Sequence, residues 1–143
     1  SYGERTDKSM QTWIQIVRAF TKIRTKELKY ITACGLTMNQ FEVLEVLYHR
    51  GDLQVGAITK LIMSTPGNVT VVVKNLTRDG LVQTLPSSED ARVRVVSITE
   101  KGKELIGGMF TQHASNLKSY FDVFSDEEMV VAYDLLRKLH KAQ

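Results

Sequence analysis

The sequence has a single cysteine, Cys34, so no internal disulfide framework can form, and no CxxC pair or Cys/His ligand spacing accompanies it to suggest a thiolate zinc site. A reducing cytoplasm is the natural compartment for such a chain. No stretch approaches the roughly 20 consecutive apolar residues that span a bilayer. The opening residues, with Glu4, Arg5, Asp7 and Lys8, lack the apolar run of a signal peptide. The expectation is a cytoplasmic protein with no membrane partner. The three histidines, His49, His113 and His140, are scattered, with no HExxH or related metal spacing, and no Walker-type or dinucleotide glycine motif is present. An enzyme is therefore poorly supported, and no catalytic residue, cofactor or metal is expected. There is no internal repeat, low-complexity stretch or linker, so the 143 residues read as one domain, and 43% hydrophobic residues suffice for a core without disulfides or metal.

Charge is nearly balanced, with 19 Lys+Arg against 16 Asp+Glu, which permits a nucleic-acid partner without demanding one. Its distribution is uneven. Residues 1–30 carry seven Lys/Arg and three Asp/Glu, whereas residues 120–143 carry three and five. That asymmetry suits a protein with a DNA side and a non-DNA side, and equally a solvated helix face.

Apolar periodicity supplies the organisation. Trp13, Ile16, Val17, Phe20, Ile23 and Ile31 fall mostly three or four residues apart and predict a long amphipathic helix over about 8–31. Cys34-Gly35 breaks it, and Thr37 with Gln40 forms a capping box for a second helix that stops near Gly51. Residues 53–63 read as a short extended piece and a small helix. Thr65-Pro66 then restarts a helix, with a hydroxyl at the N-cap and a proline where its missing N–H is harmless. The valine-rich run that follows also suits a strand, but Val69, Val72, Val73 and Leu76 at offsets 0, +3, +4 and +7, together with the stop at Gly80, favour a helix. Runs 81–85 and 93–98 flank a polar turn and predict a β-hairpin. Thr99 caps a helix with the stripe Leu105, Ile106, Met109, Phe110, His113, Leu117, Tyr120 and Phe121; a second capping box at Ser125 opens the last helix, and Gly107-Gly108 reads as close helix packing. The fold class is mainly α with a small β-hairpin (α+β).

A short helix, a tight turn, a helix with a polar outward face and then a hairpin make a winged helix-turn-helix. Its second helix suits the DNA major groove and its wing reaches backbone or minor groove. Gly67 and Thr70 are small enough to let the helix sit deep, with Thr65 at its cap. Asn68 can pair with adenine or phosphate, Val71 can touch a thymine methyl, and Lys74 and Arg78 can neutralise phosphates.

The wing run Ser88-Glu89-Asp90-Ala91-Arg92, followed by Val95-Val96-Ser97-Ile98-Thr99-Glu100-Lys101-Gly102, resembles the wing signature of the MarR family of regulators, and Leu76-Thr77-Arg78-Asp79-Gly80-Leu81-Val82 resembles that family's exit from the recognition helix. The likeness runs along essentially the full length. It implies a homodimeric, sequence-specific regulator, with the winged helix-turn-helix at about 53–98 and dimerisation helices at about 8–33 and 99–141. It further implies a ligand-responsive repressor on a pseudo-palindromic, double-stranded operator. Arg92 becomes the wing-tip residue that enters the minor groove, Asp90 the carboxylate that organises it, and Arg94 a residue that shares either task. Many family members respond to a small aromatic or phenolic effector. Trp13, Phe20, Met38 and Phe41 are candidates to line such a site, each equally explained as core, and no ligand is assigned. Cys34 lies after the first helix, unlike the oxidant-sensing cysteine of some relatives, so no peroxide-sensing role carries over to it. The competing reading is a winged-helix protein–protein adaptor without sequence-specific DNA binding, which would not need Asn68, Thr70, Lys74, Arg92 and Arg94 on one side.

Overall fold

The computed structural model describes residues 1–142. They form α1 (Glu4–Ala33), α2 (Met38–Arg50), α3 (Val55–Leu61), α4 (Pro66–Arg78), β1 (Val82–Pro86), β2 (Arg94–Ile98), α5 (Glu100–Phe121) and α6 (Asp126–Lys141). The order is the expected one, and the valine-rich run of α4 is helical. The first helix starts at Glu4, four residues before the expected start near residue 8, because its opening turn is polar. There Asp7 accepts hydrogen bonds from the Tyr2 N–H (3.0 Å) and the Ser1 hydroxyl (2.6 Å), contacts that no hydrophobic pattern reports.

The chain gathers into two compact units, one of Ser1–Ile23 with the segment from Gln112 onward, the other of Arg24–Thr111. In the second unit a single apolar core joins α2, α3, α4, the hairpin and the adjoining parts of α1 and α5. Ile31, Phe41, Leu44, Leu47, Ile58, Leu76 and Ile106 are its largest fully enclosed side chains. The α4 stripe inferred from spacing, Val69, Val72, Val73 and Leu76, is buried there. The hairpin strands pair antiparallel from Val82↔Ile98 to Pro86↔Arg94. Leu53, in the extended piece before α3, exchanges two hydrogen bonds with Val96, at 3.1 and 2.7 Å, and ties the helix-turn-helix to the wing.

Both capping boxes are present, at Thr37 with Gln40 and at Ser125 with Glu128. At the end of α4, Gly80 takes a positive φ of 75°, the Leu81 N–H reaches the Leu76 carbonyl (2.9 Å), and the Gly80 N–H reaches that of Thr77 (3.0 Å). This pair of bonds satisfies the last carbonyls of the helix and turns the chain sharply into β1. The junction is held from α5 as well. Thr99 Oγ1 donates to the Gly80 carbonyl (2.7 Å), Lys101 Nζ donates to the Asp79 carbonyl (2.8 Å), and the Gly102 N–H returns to Thr99 Oγ1 (3.1 Å). A Cβ on Gly102 would lie 2.2 Å from the Leu81 carbonyl oxygen, so no larger residue fits. Of the Gly107-Gly108 pair only the first packs closely, against the Tyr48 hydroxyl; the second faces open space.

The first unit differs in character. No residue of α6 is buried, and Trp13, Ile14, Val17 and Phe20 on α1 and Val130, Tyr133, Leu135 and Leu139 on α6 are exposed. No helix among the described residues is long and apolar enough to cross a membrane.

Candidate nucleic-acid interface

α4 is capped by Thr65, whose hydroxyl accepts from the Asn68 N–H (3.2 Å), and Pro66 is its first residue. With Val69, Val72 and Val73 turned into the core, the helix presents Gly67, Asn68, Thr70, Val71, Lys74 and Arg78 to solvent. A Cβ placed on Gly67 would meet nothing within 4 Å, so its smallness answers no demand of the fold and leaves bare helix backbone on the outer face. Val71, more than half exposed, is an apolar residue the core does not use.

The polar side chains differ in what remains available to a ligand. Asn68 Nδ2 donates to Ser64 Oγ (3.0 Å). The Thr70 hydroxyl donates to the Pro66 carbonyl (2.8 Å), so towards a partner it offers lone pairs and its methyl group rather than its proton. Arg78 Nε donates to Asp79 Oδ1 (3.3 Å), and Arg78 Nη1 to Asn75 Oδ1 (3.4 Å). Its charge is thus partly compensated within the protein, as the sequence pattern did not reveal.

The wing turn is more tightly specified. The Val93 N–H bonds the Asp90 carbonyl (3.0 Å), closing a four-residue turn, while Asp90 Oδ1 accepts from the Arg92 backbone N–H (3.0 Å), the Asx geometry expected of Asp at the head of a turn. The same carboxylate also grips the Arg92 side chain: Nε donates to Oδ1 and Nη2 to Oδ2, both at 3.1 Å. This bidentate pairing holds the Asp90 carboxyl below its ordinary range and the Arg92 guanidinium above its own. Asp90 therefore acts both as a turn residue and as a clamp on Arg92. The Arg92 side chain is nonetheless 92% exposed, so the clamp orients the guanidinium without covering it. Arg94 Nη2 donates to the Thr84 carbonyl across the hairpin (3.2 Å) and stiffens the wing behind the turn.

Other residues considered from the sequence fall outside this surface. Phe41 is enclosed in the core and Met38 packs against it, whereas Trp13 and Phe20 are exposed on α1. Cys34 is half-buried against that core. Burial, with Cys34 alongside, raises the Tyr30 phenol above its ordinary range, and its hydroxyl donates to the Met109 carbonyl (3.1 Å). Among the described residues no cluster of His, Cys, Asp or Glu is placed to hold a metal ion.

A polar helix face with a bare glycine near its start and an arginine-tipped hairpin beside it define a winged helix-turn-helix DNA-binding protein. The family model described as MarR family matches residues 36–93. The HTH-type transcriptional regulator MhqR of Bacillus subtilis is 34% identical over 134 residues, spanning 94% of this chain and 92% of that protein. Among solved structures, a MarR family protein from Bacillus stearothermophilus is 30% identical, covers 99% of this chain and 97% of its own, and superposes with a TM-score of 0.72. BpsR of Bordetella bronchiseptica, whose DNA binding is regulated by 6-hydroxynicotinic acid, is 25% identical over 90% of this chain and 92% of its own, with a TM-score of 0.79. The chain belongs to the MarR family and is a DNA-binding transcriptional regulator.

Proposed function

We propose that this regulator binds a pseudo-palindromic operator as a homodimer, with α4 in the major groove and the wing in the adjacent minor groove, and that it represses transcription until a small aromatic or phenolic effector releases it. The observation that carries the DNA geometry is the Asp90–Arg92 clamp, which aims a solvent-exposed guanidinium from the tip of the wing. Narrow A·T-rich minor grooves concentrate negative potential and attract an arginine held in this way. On α4, Asn68, Thr70 and Val71 are the base readers, Gly67 and Thr65 allow close approach, and Lys74 and Arg78 meet phosphates. Of the two cations Lys74 contributes more, since Arg78 shares its charge with Asp79.

The dimer reading is supported by the apolar surface of the first unit, where a helix of sixteen residues, α6, buries none of them within the chain. A two-fold partner would cover that surface and set two winged lobes on successive major grooves. In this reading the chain is one functional domain, with the winged part at about 53–98 and dimerisation helices at about 8–33 and 99–141. Effector response is supported by BpsR, whose DNA binding 6-hydroxynicotinic acid regulates. The chain has no catalytic role of its own in this scheme and works in the cytoplasm.

Selection of bound duplexes from a random-sequence DNA pool tests the proposal. The expected product is an enriched site with two-fold related halves centred about 10 base pairs apart. Failure to enrich any sequence at low salt would remove sequence-specific recognition and favour a protein-binding role for the winged lobe.

A further inference from the structure

Ser64 lies in the turn of the helix-turn-helix, before α4 begins, and no role on DNA follows from its place in the sequence. Its position in space is tightly set. Met63 adopts a left-handed backbone conformation (φ 57°) that swings the chain round, and the Ser64 N–H is anchored to the Thr59 carbonyl at the end of α3 (3.0 Å). Its hydroxyl oxygen then accepts from Asn68 Nδ2 at 3.0 Å, while the Thr65 hydroxyl holds the Asn68 backbone N–H at 3.2 Å. Asn68 is thus fixed twice, at its backbone by the N-cap and at its amide by the residue before the cap.

That second bond has a chemical consequence. An exposed asparagine carries a donor and an acceptor on opposite ends of a flat amide, and a half-turn about its last bond exchanges them. An unrestrained Asn68 would present either end to a base, and freezing one on binding would cost side-chain entropy. The Ser64 hydroxyl accepts from Nδ2 and donates equally well to Oδ1 if the amide turns over, so it holds the amide in place rather than choosing its end; in either sense one N–H and a lone pair on Oδ1 remain. Those are the donor and acceptor that adenine requires in the major groove, for its N7 and N6–H2 respectively. We propose that Ser64 is a positioning residue that holds the Asn68 amide in one place at the start of α4 and thereby sharpens its preference for adenine. The inference rests on the reading of Asn68 as a base contact.

The test uses the full chain, an operator recovered by selection, and Ser64→Ala, Ser64→Thr, Asn68→Ala and the Ser64→Ala/Asn68→Ala double variant, each checked by thermal melting. The base pair concerned is the one whose preference disappears in Asn68→Ala. At that position Ser64→Ala should reduce the preference for A·T about fivefold, a fraction of the full value of a bidentate contact. Preferences elsewhere and affinity for random duplex should stay as in the wild type. Ser64→Thr, which keeps the hydroxyl, should retain the preference, and the double variant should match Asn68→Ala alone because the two residues act through one contact. A Ser64→Ala protein that keeps full preference where Asn68→Ala loses it would overturn the positioning role alone. So would equal losses at every position, which signify a general structural effect. An Asn68→Ala protein with no position-specific loss would instead overturn Asn68 as a base reader, and the role of Ser64 with it.

Discussion

Gly67→Ala separates what the fold requires from what DNA requires, because the two demands have opposite signs at this residue. The substitution adds one methyl group, and the space it would enter is open, with no atom within 4 Å. The residue lies inside α4, in its first turn after Pro66. Alanine in a helix interior is favoured over glycine by up to about 1 kcal/mol, and roughly half of that is a fair value for a first-turn position. The free protein should accordingly become more stable by about 0.5 kcal/mol, a rise of about 2 °C in Tm for a chain of this size. In the proposed docking the same methyl stands on the outer face of α4, towards the groove. It should lift the helix enough to spoil the adjacent base contacts, with a loss of about 10- to 100-fold in affinity, the value of one good direct contact. Random duplex, bound mainly through phosphates, should change far less. Differential scanning calorimetry and fluorescence anisotropy at fixed salt measure the two effects separately. A more stable Gly67→Ala protein with unchanged operator affinity would show that this part of α4 does not approach DNA closely, and the docking described above would fail.

Asp90→Ala should weaken operator binding even though it removes a negative charge from a loop proposed to face DNA, because it frees Arg92 from its clamp; tighter binding in anisotropy would mean that bulk electrostatics, not orientation, governs the wing. Gly102→Ala should destabilise the protein by about 3 kcal/mol, since its methyl would collide with the Leu81 carbonyl and the Ile98 side chain; urea unfolding with an unchanged midpoint would contradict the packing at the wing–α5 junction. Glu42 is half-buried, and burial raises its carboxyl above the ordinary range, with Arg24 opposing the shift and Glu45 adding to it. Folding therefore takes up a proton there, so this group's contribution to stability declines as pH rises through its folded pKa. Glu42→Gln should melt higher than the wild type at neutral pH, the gap closing in acid below the ordinary carboxylate range; a lower-melting variant at neutral pH would show that attraction to Arg24 outweighs burial.

What the sequence disclosed and what it hid divide along the range of the contacts involved. The caps at Thr37, Thr65 and Ser125 and the Gly80 exit act over a few residues, so residue type and spacing suffice to place them; the Asp90–Arg92 pairing is as local, but it was the resemblance of the wing run that pointed to it. The α4 stripe was legible from spacing as well, since a helical period places four apolar residues on one face. The bridge from Leu53 to Val96 and the reach of Lys101 to the Asp79 carbonyl join segments far apart in the chain, and no local pattern announces them. The compensation of Arg78 by Asp79 is local but depends on rotamers. Ser64 was hidden differently: with Thr65 already legible as the cap, the serine before it had no evident task, and only the geometry shows it as the partner of the Asn68 amide.

The division of labour between α4 and the wing is tested most directly by footprinting the selected operator with two reagents, comparing wild type with Arg92→Ala at concentrations that saturate both. Dimethyl sulfate reports guanine N7 in the major groove, and hydroxyl radicals report the sugars that line the minor groove. The wild type should protect major-groove positions in each half-site and flanking minor-groove sugars, while Arg92→Ala should keep the first and lose the second. Minor-groove protection that survives in Arg92→Ala, or major-groove protection that disappears with it, would contradict the assignment of α4 to one groove and the wing to the other.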